Sequence, residues 1–169
     1  MRADADEEFT AYAAASAARL RRTAYLLCGD WQHAEDELQV ALVKLYLSWN
    51  RVRARGALDA FVRKTLVRGV VDEHRRPWRR ERAQATLADR PMPEPLPVED
   101  RLAVRDALAL VPPRQRAVLV LRYYEDCDVA ETAQLIGCSE GTVKSQTARG
   151  LARLRELLAA DPAAMNWEK

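Results

Sequence analysis

Apolar residues recur every three or four positions along most of this chain, and turn-forming residues stand where the rhythm stops. Phe9, Tyr12, Ala13, Ser16, Leu20, Thr23 and Leu27 fall on one stripe. This is the spacing that gathers side chains on one face of a 3.6-residue helix. Gly29-Asp30 ends that helix. Ala34, Leu38, Ala41, Leu42, Leu45 and Trp49 repeat the pattern in a second helix, and NRVRARG (Asn50 to Gly56) reads as a polar break. Leu58, Phe61, Val62, Thr65 and Leu66 begin a third helix, which runs into a basic block and should end near Pro77.

The composition then shifts. DRPMPEPLPVED carries prolines at 91, 93, 95 and 97. Alternating proline excludes a helix and favours an extended, polyproline-like chain. At about 3.1 Å per residue, a dozen such residues could hold two domains several tens of ångströms apart. Helical spacing resumes with Leu102, Ala103, Asp106 and Leu110. Pro112-Pro113 interrupts it, and Val118, Leu119 and Arg122 to Tyr124 continue in a further helix. Val129 to Ile136 is a short helix, and Ser139 opens a longer one reaching Leu158. No stretch alternates as a strand does. The expectation is an all-α chain of two small helical domains, 1–82 and 99–160, joined by a proline-rich linker over 83–98 and followed by a tail at 161–169.

Composition adds little until it is localised. Of the 169 residues, 49% are hydrophobic, enough for a sizeable core, and the net charge is only +2. Yet eight Lys or Arg stand against three acids between Arg63 and Arg82, a solvated face or a polyanion site. Cys28, Cys127 and Cys138 are isolated and the only histidines are His33 and His74, so neither a zinc site nor any other metal or cofactor is expected. The lack of a leader pattern and of a membrane-length apolar run points to reduced thiols and a soluble, cytoplasmic protein.

The most informative stretch is GCSEGTVKSQTARGLARL (Gly137 to Leu154). A short helix, a glycine-containing turn and a longer helix form the helix-turn-helix pattern. Ala133 suits the close crossing, Gly137 the left-handed turn and Ser139 the cap. Val143, Leu151 and Leu154 point inward. Glu140, Thr142, Lys144, Ser145, Gln146 and Arg149 are left outward near the helix start, where such motifs meet bases and phosphates. The same pattern also suits a plain αα-hairpin with a solvated face.

EDCDVAETAQLIGCSEGTVKSQTARGLARLRELL resembles the promoter-binding C-terminal domain of bacterial RNA polymerase sigma factors. HAEDELQVALVKLYLSW is similar to the sigma helix that docks on the polymerase clamp. The order of helical domain, linker and helix-turn-helix resembles the extracytoplasmic-function (ECF) group, over about residues 8 to 160. The resemblance implies that Asp36, Gln39 and Val43 face the clamp of the largest subunit; the residues alone favour a solvated stripe. It implies that FVRKTLVRGVVDEHRRPWRRE opens and reads the minus-10 element. Arg51, Arg53 and Arg55 would then lie on the loop beside a flipped base, with Arg63, Lys64, Arg68, Arg75 and Arg76 along the strand path. Arg68 stands where asparagine is usual, Phe61 where tryptophan is frequent, and Gln146 where arginine is usual. Trp78 could stack on a base or anchor a helix end. In the C-terminal domain Ser139, Glu140, Thr142, Lys144, Ser145, Gln146 and Arg149, with Arg122 reaching phosphate, would read the minus-35 element.

The implied function is promoter-specific transcription initiation, with core polymerase (clamp and flap) and promoter DNA as partners. The resemblance also allows an anti-sigma factor, and no membrane is involved. The alternatives are a stand-alone helix-turn-helix regulator and an adaptor that binds polymerase without initiating. An enzyme is not expected: the chain shows no glycine-rich phosphate loop and no nucleophile–base pairing. Asp72, Glu73 and His74 are neighbours on a helix and point different ways, which suits neither a metal nor acid–base chemistry.

Overall fold

The first helix, α1 (Arg2–Cys28), stops at Gly29, which takes the left-handed conformation (φ 74°) and donates its N–H to Tyr25 O at 2.7 Å. A computed structural model describes residues 2–73 and 99–160, and the chain continues there as the apolar rhythm predicts. Asp30 caps α2 (Trp31–Leu47) by accepting from His33 N–H at 2.8 Å. The predicted polar break differs: Trp49, expected on the second helix, and Asn50 to Ala54 of the break form a six-residue helix, α3 (Trp49–Ala54). Its apolar members Trp49 and Val52 are buried, and Trp49 packs edge-on against Phe9 of α1 with ring centroids 5.4 Å apart. Tertiary burial, rather than local propensity, makes that turn helical. Gly56 (φ 61°) closes it, and α4 (Leu58–Glu73) follows. The predicted continuation of this helix toward Pro77 lies outside the described residues, as do the linker 83–98 and the tail 161–169.

The second half runs through α5 (Glu99–Ala109) and α6 (Pro113–Leu119), with Pro113 at the helix start, where its missing N–H costs nothing. A π-helical turn (Val120–Tyr124) extends α6, and Glu125 N–H closes it by donating to Val120 O at 3.0 Å. The helix-turn-helix follows as α7 (Val129–Ile136) and α8 (Glu140–Ala160). Gly150 lets α8 lie against α6, because a Cβ there would stand 3.1 Å from the Leu119 side chain. Among the described residues there is no strand, and no helix is long and apolar enough to cross a membrane.

The two halves are in contact. α1 and α4 pack on α5, α6 and α7, and one buried cluster runs from Leu27, Leu45 and Leu66 into Val118 and Leu121. At the junction sits Arg116, only 4% exposed. Its Nε donates to Leu27 O at 2.9 Å, Nη2 to Cys28 O at 3.2 Å, and Nη1 to Ala109 O at 2.8 Å. One guanidinium therefore satisfies the last carbonyls of both α1 and α5. These groups have no partner inside their own helices and carry the negative end of the helix dipole. Burial lowers the Arg116 pKa from its ordinary value, yet arginine remains charged. Gly29 is needed twice here: for its positive φ, and because a Cβ would come within 2.9 Å of Arg116 Nη1.

Arg116→Met should therefore destabilise the chain by about 2–4 kcal/mol, since it strands buried carbonyls without filling their hydrogen bonds. Arg116→Lys should recover little of this, because an ammonium cannot reproduce a three-pronged planar donor. Urea unfolding midpoints of the two variants check the expectation; midpoints equal to wild type would mean that water replaces the guanidinium at no cost.

Candidate nucleic-acid and polymerase interfaces

The helix-turn-helix is held by local chemistry at each corner. Asp128 and Glu131 form a reciprocal capping box at the start of α7, with both bonds at 2.8 Å. Gly137 ends α7 in the left-handed region (φ 77°). Ser139 Oγ accepts from Thr142 N–H at 3.1 Å and so caps α8. Ala133 and Val143 are buried between the two helices. Glu140, Lys144, Ser145 and Arg149 are exposed, whereas Thr142 and Gln146 are half-buried. The Thr142 hydroxyl lies 2.9 Å from Ser139 Oγ, and the Ser145 hydroxyl donates to Thr142 O at 3.1 Å. Glu140, Lys144, Gln146 and Arg149 thus carry the polar groups least committed to the protein. Arg122 is set apart: it is half-buried, and Nη1 donates to Cys127 O at 2.9 Å, holding the segment that enters α7.

On α2 the predicted polymerase face forms a single surface. Asp36, Gln39 and Val43 are all exposed, on the side away from buried Leu38, Ala41 and Leu45. Val40, Val43 and Leu47 extend it as an apolar strip, with Leu47 78% exposed. Val40 and Leu47 escaped the sequence reading. Their signal was present: both are apolar yet off the inward stripe, a pattern that costs solubility unless something covers it.

The basic segment is divided. Arg51, Arg53 and Arg55 are exposed on α3 and its C-cap, and Lys64 and Arg68 are exposed on α4. Arg53 is ion-paired with Glu8 of α1. Arg63 is turned toward the second half, where Nε donates to Glu125 Oε2 at 3.0 Å. Arg75, Arg76 and Trp78 lie outside the described residues, as does His74. At the start of α4, Asp59 accepts from Tyr12 Oη at 2.7 Å and from Arg19 Nη2 at 2.8 Å, pinning α4 to α1. Burial and the bond to Asp59 push the Tyr12 pKa up to about 12. For Asp59 burial acts upward, but the donated bonds from Tyr12 and Arg19 outweigh it and the carboxyl is lowered.

None of the three cysteines forms a disulfide. Burial raises the Cys127 thiol pKa, with Arg63 nearby pulling the other way, so this is a protonated thiol at neutral pH.

Comparison with known proteins assigns these surfaces to a family. The model of sigma-70 region 2 matches residues 5–80, and that of sigma-70 region 4 matches residues 101–154. The chain is 36% identical over 160 residues to an RNA polymerase sigma-E factor of Streptomyces coelicolor, covering 90% of this chain and 87% of that one. It is 33% identical over 147 residues to the ECF RNA polymerase sigma factor SigM of Mycobacterium tuberculosis, covering 83% and 71%. Its fold is that of the sigma factor RpoE of Bartonella quintana, solved in complex with the anti-sigma factor NepR: TM-score 0.68 at 24% identity, over 92% of this chain and 99% of that one. The capped helix-turn-helix, the exposed face of α2 and these matches agree: the chain belongs to the sigma-70 family of RNA polymerase sigma factors, in its extracytoplasmic-function group.

Proposed function

We propose a division of labour between the two halves. Residues 1–82 bind core polymerase and the minus-10 element, the linker 83–98 spans between, and residues 99–160 bind the minus-35 element. The observation that carries this reading is the outward, capped N-terminal half of α8. Helix N-termini favour phosphate, and a helix presented by a helix-turn-helix enters the major groove by this end. Lys144 and Arg149 supply cations for phosphate or guanine. Gln146 matches adenine with one donor and one acceptor, and Glu140 can accept from cytosine. Ser139, Thr142 and Ser145 hold the helix start through their own bonds, and Arg122 supports the motif from behind.

Asp36, Gln39 and Val43, extended by Val40 and Leu47, are assigned to the clamp of the polymerase, with the C-terminal half toward the flap. An apolar strip rimmed by polar groups is the composition of a protein interface rather than of a DNA contact. Arg51, Arg53, Arg55, Lys64 and Arg68 offer cations to the opened strand, with Arg63, and with Arg75 and Arg76 from beyond the described residues. The protein works by binding alone, without chemistry or a cofactor of its own, and in the cytoplasm, where polymerase and DNA are. The Bartonella protein's capture by NepR supports an anti-sigma factor as a further partner.

Run-off transcription with purified core polymerase tests the whole reading: a transcript from a cognate promoter is expected, and binding to core without transcript would convert the protein into an adaptor. Two finer outcomes follow from the assigned faces. Asp36→Lys combined with Gln39→Ala should weaken competition for core polymerase by about tenfold while helicity is unchanged; normal competition would remove these residues from the interface. Gln146→Arg should change which minus-35 sequences are selected from a randomised library, with about 1–3 kcal/mol of discrimination at one base pair. Arg149→Ala should instead weaken all promoters alike. An unchanged motif from Gln146→Arg would leave base reading to Glu140, Lys144 or DNA shape.

A further inference from the structure

Tyr12 of α1 belongs to none of the surfaces assigned to a partner, yet it touches both flanks of the loop between α3 and α4. On the α3 side its ring lies 5.9 Å from the Trp49 ring, with the planes 49° apart. On the α4 side its hydroxyl donates to Oδ1 of Asp59, the second residue of that helix, at 2.7 Å. Other residues of α1 reinforce each flank separately. Phe9 packs edge-on against Trp49 and, at 5.1 Å between centroids, against Tyr46, whose hydroxyl donates to Asp6 Oδ1 at 2.8 Å. Arg19 Nη2 shares Asp59 at 2.8 Å. Trp49 is only 5% exposed, and its indole N–H has no hydrogen-bond partner among the described residues, so ring packing is what seats it.

The loop's own bonds do not orient it against α4. Gly56 N–H donates to Arg53 O at 2.9 Å and Ala57 N–H to Val52 O at 3.4 Å, and both acceptors lie in α3. At the tip, Gly56 has φ 61°, and a Cβ there would meet nothing within 4 Å. The tip therefore stands in open space, on the segment that carries exposed Arg51, Arg53 and Arg55. A base received at such a tip is discriminated only as well as the tip is placed, because a reading hydrogen bond weakens within a few tenths of an ångström of misplacement. Two helix ends free to slide past each other would not place it; a side chain held by both does. We propose that Tyr12 is a positioning residue for minus-10 recognition: its ring and hydroxyl tie α3 to α4 and so fix the intervening loop against which one base is read. The inference rests on the proposed assignment of that loop to the minus-10 element.

A tyrosine that only stabilised the fold would act on all promoters alike. A larger unfolded fraction lowers total output, but it cancels from the ratio of two sequences competing for the same protein. The test therefore reads ratios. Core polymerase reconstituted with the full chain transcribes a barcoded promoter library randomised across the minus-10 element, and transcript counts give the base preference at each position. Tyr12→Phe keeps the ring and removes the hydroxyl bridge. It should flatten the preference at one position by about three- to tenfold, while the other positions and the selected minus-35 motif stay as in wild type. Asp59→Ala removes the same bridge from the α4 side and should flatten the same position; it decides the matter if circular dichroism shows Tyr12→Phe unfolded. Arg19→Met loosens Asp59 from α1 without touching the link to Trp49, and should flatten that position less. Lower output with every ratio intact overturns the positioning role, as does flattening of all positions alike. Equal flattening by Arg19→Met also overturns it, since the attachment of α4 to α1 would then suffice. The wild-type chain separates the two levels: no transcript from any template overturns the promoter reading and this inference with it, whereas normal transcription with an unaltered Tyr12→Phe motif overturns only the role of Tyr12.

Discussion

A buried arginine with carbonyls for partners is the constraint on which the arrangement depends. Arg116 donates its hydrogen bonds to the carbonyls at the ends of α1 and α5, and among the described residues no carboxylate is paired with it. Its stability in so dry a place comes from the aligned peptide dipoles of those helix ends. The geometry is demanding, since three oxygens from two helices must converge on one plane. That requirement sets where α6 lies against the N-terminal half, and α6 in turn carries the π turn, Glu125 and the entry to the helix-turn-helix. A small region around Gly29, Ala109 and Arg116 therefore orients the second half of the molecule.

The surfaces assigned to partners differ in how far the protein has already satisfied them. The end of α8 leaves Lys144 and Arg149 exposed, and the strip on α2 leaves Val40, Val43 and Leu47 in contact with solvent. Both are open to solvent. Two of the cations proposed for the opened strand are treated otherwise: Arg53 is paired with Glu8, and Arg63 with Glu125. In the proposed role, phosphates would take the place of these carboxylates. Such pairing lowers the attraction of the free chain for arbitrary nucleic acid, which is driven by unpaired cations and counterion release, without removing the cations from the molecule.

Much of this was legible in the sequence because it is local. The ends of α1, α2, α7 and α8 are written by Gly29, Asp30, Asp128, Glu131, Gly137 and Ser139, each acting within four residues of its partner. The apolar spacing distinguishes the faces, so the outward residues of α2 and α8 follow from the inward ones. What sequence reasoning missed depends on contacts far along the chain. The break at Asn50 to Gly56 becomes helical because Trp49 and Val52 find α1 and the core. Arg116 meets Leu27 across 89 positions, Glu125 meets Thr23 across 102, and Arg63 meets Glu125 across 62. No periodicity encodes a pair so separated, and without the fold each is one more charged residue among many. Except for α3, helix identity, capping and the face of each helix were thus determined by the sequence on its own, through interactions spanning a turn or two. Which cations are already held, and how the two halves meet, was decided only by tertiary packing, which alone brings distant donors and acceptors within hydrogen-bond reach.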